Sequence, residues 1–371
     1  MRRLLLAVIA AVLLAACADH DSYRIDGSLR GVDDGATVSL IAIDGDMLSV
    51  LDSAVVRNGR FVMKGQTDTC RMAFVTFDVE GELAGCQLFL EKGDINLFYD
   101  AASTIQNISG TPCNDAFQSF YDVSLQLDEE VEELQDKLQM TVVTGGEGRE
   151  FVDGLNELQD RFKALVASSI EDNCDNLFGY EQLQQYFELF EPEEDLEFLK
   201  LFLPSFGSDM AFLNMTMTLQ KLIPTTAGHP FIDFTANVLD SRGKIAGKAS
   251  LSDYVKSSSL VYLSFWASYV PSFASDNDDL KAALDGYRSK GFQVVSVSVD
   301  DETDEWISAV RENSMTWPQL WNGSDDPENS AAARYAVSAV PMSFLIDSEG
   351  TIIGRNIQAD ELEAVLADYF K

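Results

Sequence analysis

Cysteine and histidine are scarce in this chain. Its 371 residues include five cysteines, none of them beyond Cys174, and only two histidines, His20 and His229. No two cysteines have Cys-x-x-Cys spacing. Zinc sites and acid–base catalysis usually rely on clusters of these side chains, so a histidine-based metal or catalytic site is not expected. We therefore predict no metal and no cofactor.

Positive charge is also scarce. The chain carries 26 basic and 61 acidic residues, which gives a formal net charge of −35. A surface of this sign repels the phosphates of nucleic acids and anionic membranes. We therefore expect no nucleic-acid partner, and we interpret most of the acidic excess as a solvated surface.

A long membrane-spanning run is absent, but a short apolar run opens the chain. It extends from Leu4 to Ala16, about half of the roughly 20 residues that a span requires, and it follows two arginines. It ends in "LAAC", which resembles a bacterial lipobox and implies that residues 1–17 hold a signal peptide with lipidation at Cys17. Ala18, rather than Asp, follows this cysteine and favours the outer membrane of a bacterial envelope. An ordinary cleaved secretory signal is the alternative.

Four further cysteines are Cys70, Cys86, Cys113 and Cys174. An exported protein can form disulfides, and four cysteines allow three complete pairings. A hairpin turning near Gly81 would place Cys86 opposite Val75, which is too far from Cys70 for a bridge. We interpret the four as mainly buried structural thiols, and whether they form disulfides stays open.

Residues 22–105 predict an antiparallel β-sandwich. Short alternating runs are bounded by glycine and aspartate, and Asn58-Gly59 suits the tight turn of a hairpin. The segments "DGATVSL", "LDSAVVRNGRFVMKG" and "LFLEKGDI" resemble a domain of unknown function found ahead of thioredoxin-like domains in bacterial lipoproteins. That resemblance implies no chemistry.

The spacing of apolar residues changes twice in the remaining chain. Residues 110–222 carry apolar side chains three and four apart, which predicts a helical segment, with Pro192 and Pro204 as breakers. Residues 226–371 alternate strand and helix patterns, which predicts an α/β domain. The expected fold class is therefore multidomain α+β.

Four stretches of residues 226–371 resemble the TlpA/ResA branch of thioredoxin-like proteins, which is related to the AhpC/TSA peroxiredoxins. They are "GHPFIDFTA", "FWASYVPSF", "TWPQLW" and "YAVSAVPMSFLIDSEGTII". Their order and spacing fit the whole domain. The resemblance implies a thioredoxin-like fold and suggests a thiol-disulfide oxidoreductase.

The resemblance also shows what is missing. The family's chemistry needs a thiolate at a helix N-terminus and a second cysteine three residues later. Val270 and Phe273 occupy these two positions, and neither is a nucleophile. Ser268 and Ser272 lie nearby without a visible histidine base. We therefore predict no catalytic residue and a pseudoenzyme.

The same resemblance implies a cis proline at Pro341, facing the turn of residues 267–273, which we call the altered turn. Six residues would then be candidates to line a ligand-binding groove: Trp266, Tyr269, Pro271, Val340, Pro341 and Met342. The alternative is that these residues only complete the core.

Three functions stay open at this point. The first is a non-redox binding or scaffold module for a protein, peptide or small ligand, held at the membrane by its N-terminal lipid. The second is the thiol-disulfide oxidoreductase or peroxiredoxin that the family suggests. The third is a purely structural envelope component. An open groove at Val270 and Pro341 favours the first, and a filled one favours the third.

Overall fold

The computed structural model describes residues 22–44, 47–144, 148–240, 242–323 and 327–371. The predicted signal segment and its lipidation site Cys17 lie outside these residues. Within them, no helix combines the length and apolar character needed to cross a membrane. The chain divides into two compact units, Met1–Phe190 with Glu197–Asp209, and Glu191–Leu196 with Met210–Lys371. The domain boundaries given by the sequence stay predictions.

The first unit begins with two four-stranded sheets that share one apolar core. One sheet has the order β4-β1-β7-β8 and the other β3-β2-β5-β6. The strands are β1 Ser22–Arg30, β2 Thr37–Asp44, β3 Met47–Val55, β4 Arg60–Gln66, β5 Arg71–Val79, β6 Glu82–Leu90, β7 Gly93–Asp100 and β8 Ile105–Ser109. Alternate residues of β1 are buried, as expected for a strand with one face on a core. The predicted sandwich is confirmed.

Two pairings differ from the expected hairpin series. Asn58 and Gly59 adopt the positive φ of a tight turn, but only a single bridge, Arg57 to Arg60, follows from it. The chain crosses between the sheets there, because buried Val56 packs in the shared core between β3 and β4. In addition, β1 pairs with β7 in parallel, so the sandwich is not antiparallel throughout.

Helices follow the sandwich, as the sequence period predicts. They are α1 Pro112–Val143, α2 Arg149–Asp172, α3 Leu177–Gln185, α4 Pro192–Phe206 and α5 Met210–Leu222. Pro112 and Pro192 are the first residues of their helices, where a missing N–H costs nothing. Pro204 lies inside the last turn of α4, and that helix ends two residues later.

The second unit contains a seven-stranded mixed sheet of order β10-β9-β13-β12-β11-β14-β15. Its elements are β9 Thr235–Leu239, β10 Ile245–Ser250, α6 Leu251–Val255, β11 Leu260–Trp266, α7 Phe273–Tyr287, β12 Phe292–Ser298, α8 Thr303–Glu312, β13 Gln319–Trp321, α9 Ala331–Arg334, β14 Met342–Asp347, β15 Ile352–Arg355 and α10 Leu362–Tyr369. Strand β11 is parallel to β12 and antiparallel to β14.

Strand β11 is buried along its whole length. Tyr262 and Trp266 pack in one apolar cluster, whereas Leu263 and Phe265 pack in a second. Since side chains alternate across a strand, the two clusters cover opposite faces of the sheet. The sheet is therefore a central layer that holds the end of β11 rigidly. The multidomain α+β fold predicted from the sequence is confirmed.

Candidate functional site

The altered turn lies between the end of β11 and the start of α7. The backbone N–H of Val270 donates to the carbonyl of Ala267 at 3.2 Å, and that of Phe273 donates to the carbonyl of Val270 at 3.1 Å. These two bonds bring the chain from the sheet directly into the helix. Val270 lies half-buried in the turn, and Phe273 is the first residue of α7. The second position at which the family resemblance implies a cysteine is thus at a helix N-terminus.

Phe273 fills the space beside the turn with an aromatic ring. Its ring is stacked on Trp266 with centroids 4.5 Å apart and planes 6° from parallel. Trp266 is buried, and Phe273 packs against the same apolar cluster. Aromatic pairs at this separation contribute about 0.5–1.5 kcal/mol beyond the burial of their area. The second thiol position is therefore part of the packing.

The bond between Val340 and Pro341 is cis, as the resemblance implies. Met342 follows it and pairs with Phe265 of β11, which brings Pro341 next to the altered turn. Pro341 and Val270 line one small cavity together with the stacked pair, and this cavity has a volume of about 20 Å³. That is close to the space one water molecule needs. The space between the turn and the proline loop is nearly filled.

The candidate groove residues divide between surface and core. Tyr269 is 72% exposed. Pro271, two residues later, and Pro341, in the proline loop, are also exposed. Val340 and Met342 are half-buried and pack against the apolar cluster on the other face of the sheet. The structure brings Trp266 and Pro341 together at one cavity, but it gives no deep apolar groove there.

Asp300 is a member of this region that the sequence did not single out. It follows β12 and is buried, and its Oδ1 accepts hydrogen bonds from the backbone N–H of Ser268 at 2.9 Å and from the Ser268 hydroxyl at 2.8 Å. Its Oδ2 accepts from the Ser298 hydroxyl at 2.7 Å. The position of Asp300 just after the buried strand β12 is the signal in the sequence that points to this role.

The two serines of the turn have carboxylate partners. Ser268 donates to Asp300, and the Ser272 hydroxyl donates to Asp276 at 2.8 Å. The ring of His229 instead lies 3.1 Å from the hydroxyl of Thr226. These contacts position the turn and assemble no serine–histidine pair.

A second polar cluster lies in the first unit. The sulfurs of Cys70 and Cys113 are 3.8 Å apart, and Oε1 of Glu91 accepts the backbone N–H of Cys113 at 2.8 Å. The ligand atoms of these three residues lie within 4.8 Å of one another, so they are candidates for holding a soft metal ion. The sequence missed this cluster because Cys70 and Cys113 are 43 positions apart.

Cys86 behaves as the sequence predicted. It pairs with Val75 across β5 and β6 and is buried in the sandwich core. Burial raises the pKa of the Cys86 thiol to about 12, so this thiol stays protonated at neutral pH. It is a structural, unreactive side chain.

Two family models match separate parts of the chain. Residues 23–117 match a domain of unknown function, DUF4369, and residues 227–355 match the AhpC/TSA family. No sequence among curated proteins matches the chain significantly.

Solved structures resemble part of the chain. The thioredoxin domain of a thiol-disulfide oxidoreductase from Bacteroides vulgatus is 23% identical, with 39% of this chain and 99% of that chain covered and a TM-score of 0.35. A thiol-disulfide oxidoreductase from Bacteroides fragilis is 25% identical, with 38% and 98% covered and a TM-score of 0.32. A thioredoxin-like protein from Bacteroides caccae is 17% identical, with 59% and 82% covered and a TM-score of 0.46.

The family match coincides with the mixed sheet and the altered turn described above. It also contains the cis proline and both positions at which the resemblance implies thiols. The DUF4369 match coincides with the sandwich and the start of α1. Residues 227–355 are therefore an AhpC/TSA-family domain of thioredoxin-like fold, preceded by a DUF4369 domain at residues 23–117.

Proposed function

We propose that this chain is an envelope lipoprotein whose thioredoxin-like domain works without thiol chemistry, as a binding or scaffold module. One observation carries the proposal: Phe273 is stacked on Trp266 at the helix N-terminus where a resolving thiol is required. Thiol–disulfide exchange needs one sulfur to attack and a second to release the product. Residues 226–371 contain no cysteine that supplies either.

The small cavity decides what kind of partner fits. A volume of about 20 Å³ holds no metabolite, whereas ligand pockets usually measure several hundred Å³. Exposed Tyr269, Pro271 and Pro341 instead offer a shallow aromatic and apolar surface. Tyrosine is enriched at interfaces because its ring contributes apolar area while its hydroxyl stays solvated. At this turn we therefore propose a protein or peptide partner rather than a small ligand.

A structural envelope component is the second candidate. The nearly filled space between the turn and Pro341 favours it, because packed residues there contribute to stability without any partner. The two candidates differ in whether the exposed side chains around the turn contact another molecule.

Anchoring rests on the N-terminal segment. Its charged start, apolar run and final "LAAC" support cleavage before Cys17 and lipid attachment to that residue. The chain has a net charge of −35, so anionic membrane surfaces repel it. The lipid would therefore be its attachment to the membrane, with the folded part facing the periplasm or the outside of the cell.

Cross-linking in intact cells tests the binding function. Tyr269→Ala and Val270→Asp each alter the surface around the turn, and we expect each to lower partner recovery by about tenfold, the loss of about 1.4 kcal/mol. Ile353→Asp is the matched control, since Ile353 is a 37% exposed aliphatic residue on β15 of the same domain. Recovery should be unchanged in that control.

Two outcomes separate the candidates. Unchanged recovery with both turn variants folded would exclude binding at this surface and leave the structural role. Unfolding of Val270→Asp alone would mean that Val270 is a core residue, and Tyr269→Ala would then decide the question.

The redox function has its own assay. The full chain carrying Cys70→Ser should reduce a protein disulfide no faster than the thiol donor alone. Catalysis above that background would overturn the non-redox proposal.

A further inference from the structure

The closest pair of thiols among the described residues lies in the first unit, away from the altered turn. Cys70 directly precedes β5, and Cys113 is the second residue of α1. Their sulfurs are 3.8 Å apart, in hydrogen-bonding contact. Cys70 is half-buried, whereas Cys113 is only 1% exposed and packs with Phe89 and Phe178.

The surroundings distinguish the two sulfurs. The Cys70 thiol donates a hydrogen bond to the Cys113 sulfur at 3.8 Å, and Cys113 is the more deeply buried of the two. Cys113 also lies in the first turn of α1, where the helix dipole favours negative charge. The two thiols therefore lie in direct contact, and Cys70 is the more exposed of the two.

We propose that Cys70 and Cys113 form an intramolecular disulfide that fixes the start of α1 to the strand preceding it in the sandwich. A disulfide needs its sulfurs about 2.05 Å apart, so bond formation requires a movement of less than about 2 Å. The bridge would close 43 positions of chain, which includes β5 to β8. It goes beyond the proposed function because it concerns the DUF4369 domain, not the binding surface.

The oxidant is itself a disulfide, R–S–S–R, either a small molecule or the active centre of a dithiol oxidase. The more exposed Cys70 thiol loses its proton to water, and its sulfur attacks one oxidant sulfur. The oxidant's S–S bond breaks, and the first R–S⁻ leaves and takes up a proton. The Cys113 thiol then loses its proton, and its sulfur attacks the Cys70 sulfur and displaces the second R–S⁻, which is protonated in turn. Two protein thiols thus lose two electrons and two protons, and the oxidant becomes two R–SH.

Glu91 argues for a disulfide rather than a metal site. Its Oε1 already accepts the backbone N–H of Cys113 and caps the start of α1, where the N-cap residue Thr111 makes no side-chain capping bond. A structural zinc site usually has four protein ligands, and this cluster offers three. Metal binding is therefore the competing outcome in the test.

The experiment uses the full chain, purified in detergent and incubated with glutathione disulfide. Free thiols are then blocked with N-ethylmaleimide, and the chain is digested without reduction for mass spectrometry. We expect a linked peptide pair containing Cys70 and Cys113, about two mass units lighter than the two free peptides. Cys70→Ser and Cys113→Ser should abolish it. Cys174→Ser, which removes another half-buried thiol, should leave it intact.

Stability gives a second measurement. Reduction of the oxidised chain should lower the unfolding temperature of the first unit by about 5 °C or more, as removal of a disulfide across a long loop does. Cys70→Ser should show no such dependence on reductant. Recovery of Cys70 and Cys113 as fully blocked free thiols after oxidation would overturn the proposal. One zinc ion per chain, lost in both variants of the pair, would overturn it equally.

Discussion

The ring of Phe273 lies flat on the indole of Trp266, with the two centroids 4.5 Å apart. This contact shows how the fold accommodates phenylalanine at the second position where the family resemblance implies a thiol. A small residue in place of the second cysteine would leave the indole face uncovered, whereas phenylalanine covers it and joins the apolar cluster on that face of the sheet. The position at which the resemblance implies a second thiol is a packing position in this chain.

Phe273→Ala should destabilise the thioredoxin-like domain by about 1–3 kcal/mol, because it removes a half-buried ring and its stacking on Trp266. All four tryptophans of the chain lie between Trp266 and Trp321, so their fluorescence in urea reports this domain alone. Phe370→Ala, which removes another stacked ring, is the control for the emission of Trp266. It should leave that emission unchanged, while Phe273→Ala should shift it to longer wavelength. An unshifted emission in both variants would contradict the stacking.

Restoring both thiols should restore exchange chemistry. Pro271 and Ser272 still separate the two positions, and α7 still begins at the second of them. We expect Val270→Cys with Phe273→Cys, in a Cys70→Ser chain, to accelerate protein disulfide reduction about tenfold over the unmodified turn, since a helix N-terminus lowers a thiol's pKa. A double variant that folds and forms its disulfide without any catalysis would show that the surrounding site has also been lost.

The buried carboxylate of Asp300 should contribute to the stability of the thioredoxin-like domain through the hydrogen bonds that it accepts. Asp300→Leu removes the acceptor of three hydrogen bonds from Ser268 and Ser298, and we expect a loss of about 2–5 kcal/mol. Asp300→Asn keeps one carbonyl oxygen for Ser268, so its loss should be clearly smaller. Urea unfolding followed by tryptophan fluorescence measures both. Equal losses in the two variants would mean that the site requires the negative charge of Asp300, and not merely an oxygen that accepts hydrogen bonds.

Cys17→Ser should release the protein from the membrane fraction. Without the sulfur no lipid can be attached, and the apolar run by itself is shorter than a membrane span. Cell fractionation measures the change, and Cys174→Ser serves as the control that keeps the anchor. Equal membrane association of both variants would refute lipidation at Cys17.

Periodicity and covalent structure could be taken from the sequence alone. Strand β11 is a run of seven apolar and small residues, a pattern typical of a strand buried on both faces, and it is buried throughout. The helical period of residues 110–222 was equally reliable, since an apolar stripe is a local property. The absence of a thiol beyond Cys174 is a covalent fact that no folding changes, and it already excluded cysteine chemistry from the altered turn.

Contacts between distant segments were decided only by the tertiary structure. The turn at Asn58 and Gly59 predicted a hairpin, but its two strands joined different sheets, because burial of Val56 and Phe61 in the shared core outweighed local pairing. Local pattern also contained nothing that placed Cys70 against Cys113. The sequence by itself determined which side chains were available and which elements they formed. Packing of those elements decided which side chains meet, since that depends on the sum of many weak contacts across the fold.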